Sequence, residues 1–520
     1  MAKQNLPPDP DDHKDNDPLS RHIEQLAKKK IEAHAIILNT LLENFEPIDY
    51  HALAFPEIIG YREALQNPEI KPEEKKAIQE KMDSLKLNHK HLLVLTVENV
   101  LSVAEMNRWG LCKNHDFIYL YNGAYWSDVD REQFQQFLGE AAEKMGIQKY
   151  TARYYQFRDQ LFKQYMATAY LTNPIGEVDK VLINLTNGTF EITNSGNTLR
   201  PFNPLDFMLY QLPFTYNPSA KAPLFEAYLN RVLPDIERQN VLAEFLGYVF
   251  IKNGSSTFKG EKALILYGTG ANGKSVIFEI VNAMLGSENL SCFSLQSLTN
   301  ENGYFRAKLA NTLVNYASEI NGKLEASIFK QLVSGEPVEA RLPYGQPFML
   351  RQYAKLIFNC NDLPKDVEHT HAFFRRFLII PFDVIIPENE QDKQLHSKII
   401  ESELSGIFNW VLAGLQRLLV QNSFSDCDAA RIAVEEYKLE SNSIKLFLEE
   451  REYKASIRQY TLIKELYPEY RLFCHNDGMV PFKKINFSKQ LLALGFEIGR
   501  EPGTGQKIVY ITKDDTGESV

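Results

Sequence analysis

Along this chain the spacing of apolar residues switches between two periods, and each switch marks a change of element. Short, largely apolar runs at 263–267, 311–319 and 354–360 read as buried strands, the first with the pattern of a parallel sheet. A helical period follows the first of them over 276–285 and stops at Gly286. Upstream, amphipathic helices are expected over 23–42 and from Pro72 to about residue 85. Between 92 and 200 the pattern is mixed: a strand over 117–121, a tight turn at Asn122-Gly123, a helix over 131–145, and a strand with an internal turn over 184–192. Two helices are expected over 224–250, and two more over 392–419 and 428–438. Residues 441–513 carry the helix-helix-helix-hairpin order of a winged helix. Residues 1–20 are acidic, proline-rich and poor in apolar groups, so they are expected to be disordered.

Composition narrows the picture. With 520 residues and 44% hydrophobic content the chain can bury several cores. A net charge of -10 means that any nucleic-acid contact must come from local basic surfaces. The five cysteines, Cys112, Cys292, Cys360, Cys427 and Cys474, are far apart and form no C-x-x-C pair, which points to a reducing compartment. Cys112 and His115 have ligand spacing, but no second pair follows at finger spacing. The sequence has neither an apolar signal core nor an apolar run of membrane-spanning length, so a soluble, cytoplasmic protein is expected.

Chemistry concentrates after the first apolar run. Gly268, Thr269, Gly270, Ala271, Asn272, Gly273, Lys274 and Ser275 fit the phosphate-loop pattern G-x-x-x-x-G-K-[ST], set between an expected strand and an expected helix. Such glycines let backbone N–H groups curl around a phosphate, the lysine neutralises β/γ-phosphates, and the serine hydroxyl suits Mg²⁺. ATP and Mg²⁺ are therefore the expected cofactors. The run ending at Glu319 places a carboxylate at a strand end, where it suits Mg²⁺ and the attacking water. Asn361, after the third run, suits orientation of that water, and Arg375 and Arg376 stand at the mouth of a further apolar strand, where a guanidinium suits transition-state charge.

The ordered set Gly-x-Gly-x-Asn-Gly-Lys-Ser, Ala317-Ser318-Glu319-Ile320, Lys330-x-x-x-x-Gly335-Glu336 with Arg341, Asn361-Asp362-Leu363-Pro364 and Arg375-Arg376 resembles the superfamily-three DNA helicases. More narrowly it is similar to the phage and plasmid primase-helicase branch that includes a poxvirus helicase. The likeness extends upstream through Asn184, Asn187-Gly188, Arg200-Pro201 and Gln211-Leu212-Pro213, and downstream into the winged-helix segment. It implies a homo-oligomeric ring, a hexamer, that hydrolyses ATP between subunits and translocates on single-stranded DNA. On it, Lys274 and Ser275 serve the phosphates and metal, Glu319 is the acid of the second motif, Asn361 the sensor, and Arg375 or Arg376 the finger supplied in trans. The stretch from Lys330 to Arg351 would hold the DNA hairpin. Two departures are visible: Ser318 stands where many members carry a second acid, and the hairpin 342–347 offers Tyr344 and Gln346 where relatives carry lysine. Tyr344 suits base stacking, with Arg341 and Arg351 flanking it for phosphates.

The expected organisation is an α/β protein with a P-loop AAA+ type ATPase core, N-terminal helical and α/β domains and a C-terminal winged helix. Its divisions are an acidic tail (1–20), a helical docking module (21–95), a small α/β domain (96–204), a helical segment (205–255), the core (256–390), a helical extension (391–440), the winged helix (441–513) and a tail (514–520). Lys483, Lys484 and Lys489 sit near its expected recognition helix, with a glycine wing at 503–507, a surface suited to duplex DNA. Of the paired acids that a primase site would need, Asp9, Asp11 and Asp12 lie in the proline-broken tail, and Asp128 and Asp130 read as helix caps. The expected function is a replicative ATP-dependent DNA helicase of a phage, plasmid or other mobile element in a bacterial host. Single-stranded and forked DNA, a second copy and a separate primase or replication protein are its expected partners. The alternatives are a primase-helicase with an unrecognised primase site, and a nucleotide-switched initiator or loader that binds DNA without unwinding.

Overall fold

The computed structural model describes residues 33–107, 109–114, 117–169, 180–193, 196–318, 320, 324–343, 345–364, 367–477, 479 and 481–513. They divide into two units, Met1–Thr215 and Tyr216–Val520. Glu319, Tyr344, His115, the acidic tail and the first part of the helix expected over 23–42 lie outside the described residues.

In the first unit the helix His89–Met106 crosses the division expected at 95/96. One apolar core runs from Ile37 and Leu41 through Val97 and Val100 to Phe134, Leu138 and Leu161, so the helical module and the small α/β region share an interior. The sequence pattern hid this because a continuous amphipathic helix gives no break at which a boundary would fall. Helix Arg131–Lys144 shows the local logic: the Asp130 carboxylate accepts from the N–H groups of Glu132 and Gln133 at 2.9 and 3.0 Å, and Phe134, Phe137, Leu138, Ala141 and Ala142 form its buried stripe. Strands β1 (Gly110–Asn114), β2 (Phe117–Tyr121) and β3 (Trp126–Val129) make one antiparallel sheet, and β4 (Val181–Leu185), β5 (Gly188–Thr193) and β6 (Gly196–Arg200) a second. Asn184 is wholly buried between them: its amide donates to the carbonyls of Ala124 and Tyr210, both at 3.1 Å, and its carbonyl accepts from Thr189.

The second unit is built on a five-stranded parallel sheet ordered β13-β7-β12-β9-β8, with β7 (Ala263–Tyr267), β8 (Leu290–Ser291), β9 (Val314–Ala317), β12 (Lys355–Cys360) and β13 (Phe377–Pro381). Between β9 and β12 in sequence, β10 (Val338–Ala340) and β11 (Phe348–Leu350) form a separate antiparallel ribbon. Strand β7 is buried at its first four positions and flanked by strands on both sides, which is why it reads as a continuous apolar run. The 27-residue helix Leu395–Gln421 packs along helix Ile236–Tyr248. Glycine permits the approach: a Cβ on Gly414 would lie 2.5 Å from the Ala243 carbonyl carbon, and one on Gly247 2.6 Å from Leu415 Cβ. From the same long helix, buried Glu403 accepts from the N–H groups of Leu224 and Phe225 at 2.9 and 2.8 Å, capping helix Pro223–Val232 from a distance in sequence that no local pattern reveals. Ala433 and Tyr437 of helix Asp428–Glu440 join the core of the sheet.

Beyond it, helices Ser443–Glu450, Ile463–Asn476 and Lys484–Ala493 enclose a small core of Ile444, Phe447, Leu466, Tyr470, Phe487 and Leu491. Strands β14 (Tyr453–Ala455) and β18 (Ile511–Lys513) pair there, as do β15 (Thr461–Leu462), β16 (Ile498–Arg500) and β17 (Lys507–Val509).

Lys355, at the amino end of β12, is buried. Its ammonium donates to the Asn253 side-chain carbonyl and lies 4.3 Å from the centre of the Tyr248 ring. Burial lowers its pKa from the ordinary 10.5 to about 7. Between those values the unfolded chain binds a proton that the folded chain does not, so the site's contribution to stability rises with pH across that window and is level below it. The slope for one proton is ~1.4 kcal/mol per pH unit. Urea unfolding of Lys355→Met beside the wild type, from mildly acidic to alkaline pH, is expected to show the difference between them changing in that sense; parallel curves would overturn the assignment.

Candidate functional site

The loop 268–273 leaves the carboxyl end of β7 and turns into helix Lys274–Leu285. Left-handed backbone at Gly270, Ala271 and Gly273 (φ 116°, 50° and 88°) curls it tightly. Gly268 has no room for a side chain, since a Cβ would lie 2.6 Å from the Phe382 carbonyl oxygen. Three straps hold the loop: Gly268 N–H donates to the Cys360 carbonyl at 3.1 Å, the Asn272 amide to the Phe382 carbonyl at 3.1 Å, and Ile386 N–H to the Ala271 carbonyl at 2.8 Å. The buried Lys274 ammonium donates to the Gly268 carbonyl and, at 3.2 Å, to the Asn272 side chain, and burial pushes its pKa below the ordinary lysine value. Thr269 and Ser275 are exposed. Tyr228, from helix Pro223–Val232, donates to the Gly273 carbonyl at 2.7 Å. Tyr228 and Phe382 went unnoticed in the sequence because both lie outside the motif and reach the loop only through packing.

Strand register gathers the other motif residues at the same edge. Tyr267 pairs with Cys360, and Phe358 with Ala317, so the carboxyl ends of β7, β12 and β9 lie side by side. The exposed Asn361 follows β12 and the exposed Ser318 follows β9, next in sequence to Glu319. Beneath them Tyr316 donates to the Asn359 side-chain carbonyl at 2.9 Å, tying β9 to β12, and burial pushes the Cys360 thiol up to about 11. Ligand sites of open parallel sheets form along such carboxyl edges.

The two arginines stand at the opposite edge and part company. Parallel pairing of Phe377 with Ala263 sets Arg375 and Arg376 at the amino end of β13, a strand's length from Gly268. Arg376 is 8% exposed; its Nε and Nη2 donate to Ser334 Oγ at 3.2 and 2.9 Å, and Nη1 donates to the Ala372 carbonyl. Arg376 thus braces its own fold. Arg375 is half-exposed and ion-paired to Glu261 at 2.9 Å.

Expected DNA contacts are likewise sorted. In the β10–β11 ribbon, Ala340 pairs with Phe348 and Val338 with Leu350, so Arg341 stands toward the tip and Arg351 at the base rather than together. The Arg341 guanidinium lies 4.9 Å from the centre of the Tyr304 ring and donates to its hydroxyl at 2.6 Å, while Arg351 is exposed. Lys330 is engaged by Glu368 at 2.9 Å, which removes it as a free cation. Lys483, Lys484 and Lys489 are all exposed, and Lys489 shares its helix face with Ile485 and Leu492, themselves 73% and 55% exposed. The connection between β16 and β17 turns at Gly503 and Gly505, with φ of 86° and 69°.

Among the described residues, one ligand-like cluster escaped the sequence reading: Asp235, Glu237 and Cys427 present donor atoms within 4.8 Å of one another. Asp235 caps helix Ile236–Tyr248 through Glu237 N–H at 3.0 Å, and Glu237 accepts from Asp428 N–H at 3.3 Å, so capping accounts for the acids. Among the described residues, no helix is long and apolar enough to cross a membrane.

Residues 104–234 match the D5 N terminal like family, and residues 266–376, which span every motif from the phosphate loop to the arginines, match a family of unknown function, DUF5906. L207/L206 of Acanthamoeba polyphaga mimivirus, which carries the name of an inferred helicase, is 22% identical over 249 residues, covering 46% of this chain and 26% of that relative. The chain thus spans about a quarter of the length of that relative. Two apo structures of the NrS-1 C terminal region are similar at 13% identity and a TM-score of 0.43, over 81% of this chain and 99% of theirs. The chain is thus similar, over these stretches, to the D5 N terminal like family and to a viral protein named for a helicase.

Proposed function

We propose that the chain is an ATP-dependent DNA helicase motor of the superfamily-three type, with a P-loop AAA+ core that works as a homo-oligomeric, hexameric ring on single-stranded and forked DNA. The observation that carries this reading is the sheet: the glycine loop leaves a central strand, β12 and β9 deliver Asn361 and Ser318 to the same edge, and an exposed arginine stands at the opposite edge. In this reading the loop amides and Lys274 bind the triphosphate, exchanging the Gly268 carbonyl for phosphate oxygens. Ser275, exposed at the helix start, and Glu319 would hold Mg²⁺, which would supply charge neutralisation to the phosphates. Asn361 orients the attacking water. Arg375, too far from its own loop, serves the site of a neighbouring subunit.

The β10–β11 ribbon contacts the single strand through Arg341 and Tyr344, and the terminal helices and wing, read as a winged helix, meet duplex through Lys483, Lys484 and Lys489. Strand displacement on a forked duplex tests the reading. ATP is expected to drive displacement and a non-hydrolysable analogue is not; DNA binding without displacement under either nucleotide would favour the initiator or loader. Arg341→Ala is expected to slow displacement, since one cation fewer faces the phosphate backbone. Unchanged displacement would remove the ribbon from the DNA path.

A further inference from the structure

Three consecutive residues leading into β7 hold the half-exposed arginine at the amino edge of the sheet. Ala263 N–H donates to the Arg376 carbonyl at 2.8 Å, Lys262 Nζ donates to the Arg375 carbonyl at 2.6 Å, and Glu261 Oε2 accepts from Arg375 Nη2 at 2.9 Å. The last of these contacts comes from a strained position. Glu261 has left-handed backbone, φ 47°, where glycine or asparagine sits more easily than a glutamate. Just before it Gly260 threads between two rings, since a Cβ there would lie 2.9 Å from both Phe258 and Tyr248, and the Glu261 backbone hydrogen-bonds the Tyr248 hydroxyl. The carboxylate is thereby delivered to one place: it is 16% exposed, Oε1 meets Lys259 at 2.9 Å and Oε2 meets Arg375. Burial acts to raise its pKa, but Lys259 and Arg375 outweigh burial and hold the carboxyl below its ordinary value, so it is ionised beside the guanidinium. Among the described residues Arg375 is engaged through Nη2 alone, and it lines an open groove of about 750 Å³ with Lys259, Lys262 and Arg431 and the acids Asp428 and Glu435.

We propose that Glu261 is a positioning residue for Arg375: it holds the guanidinium by one nitrogen and aims the remaining N–H donors into the groove, toward the terminal phosphate bound by a neighbouring subunit. The role rests on the motor reading above, in which Arg375 acts in trans. A free arginine side chain samples many rotamers, and ordering it before the phosphate arrives removes that cost from the catalytic step. A bidentate carboxylate would occupy the fork that grips phosphate, whereas this end-on pair leaves the fork open. Lys259 balances the second carboxylate oxygen, so the acid does not set a bare negative charge against the incoming phosphate. A residue serving the backbone alone would be the glycine or asparagine that this angle prefers. The chain carries a carboxylate there instead, and a strained residue marks a position whose side chain is needed.

Glu261→Gly is the discriminating variant, because it relieves the backbone and removes the carboxylate together. In the full chain its melting temperature is expected close to or above that of wild type, while steady-state ATP turnover falls by roughly tenfold or more. Glu261→Asn, which also tolerates the left-handed angle, is expected to behave in the same way. Turnover is expected to return when Glu261→Gly subunits are mixed with Lys274→Ala subunits, and Glu261→Gly/Arg375→Ala is expected to turn over no more slowly than Arg375→Ala. Normal turnover in Glu261→Gly beside a defective Arg375→Ala would overturn the positioning role and leave the trans arginine standing. A loss that tracks a lowered melting temperature in both variants, that mixing does not repair, or that adds to the loss in Arg375→Ala would overturn it in favour of a role inside its own subunit. Turnover unaffected by Arg375→Ala would overturn the trans reading and the positioning role with it.

Discussion

Lys274→Ala is expected to abolish ATP turnover, with a loss on the order of 10²-fold or more in a steady-state assay, because one ammonium facing transferring phosphates supplies charge that nothing else in the loop replaces. The change deletes a buried cation whose partners are the Gly268 carbonyl and the Asn272 side chain. The straps from Cys360, Phe382 and Ile386 do not involve it, so the loop and the fold are expected to survive. A melting curve close to that of wild type shows that loss of turnover is chemical. Turnover within a few-fold of wild type would remove the loop from nucleotide chemistry, and strand displacement would have to be explained otherwise.

Mixing Arg375→Ala subunits with Lys274→Ala subunits is expected to restore turnover that neither variant has alone. An interface is competent when its loop comes from the first variant and its arginine from the second, so random equal mixing in a ring restores about one quarter of the interfaces. The proposed partition rests on two observations: the strand register sets Arg375 at the far edge of the sheet from Gly268, and beside its ion pair to Glu261 it stays half-exposed. Arg376→Ala serves as the contrasting variant. Removing a guanidinium that braces Ser334 and Ala372 strands buried acceptors and lowers thermal stability, and mixing does not repair that. Absent recovery, with mixed assembly verified by native mass spectrometry, would place Arg375 outside the active interface.

The sequence by itself located four of the five parallel strands, the two-residue β8 aside, and the end of the helix after the glycine loop, which starts two residues before the expected Val276, because strands buried on both faces are largely apolar and the loop glycines must adopt backbone angles that side chains resist. It also determined that Asp130 caps a helix, a local hydrogen bond between near neighbours. Tertiary structure alone decided what depends on neighbours remote in sequence. Two adjacent arginines look equivalent in a string of letters, yet Ser334 claims one and Glu261 pairs with the other at the surface. Lys330 reads as a free cation until Glu368 comes within 2.9 Å, and Arg341 and Arg351 read as companions until antiparallel pairing sends them to opposite ends of a ribbon. Tyr228 and the Phe382 carbonyl complete the loop from elements with no motif of their own. Periodicity records which face of an element is buried; it carries no record of which partner buries it, and charge pairing and side-chain reach follow from the partner.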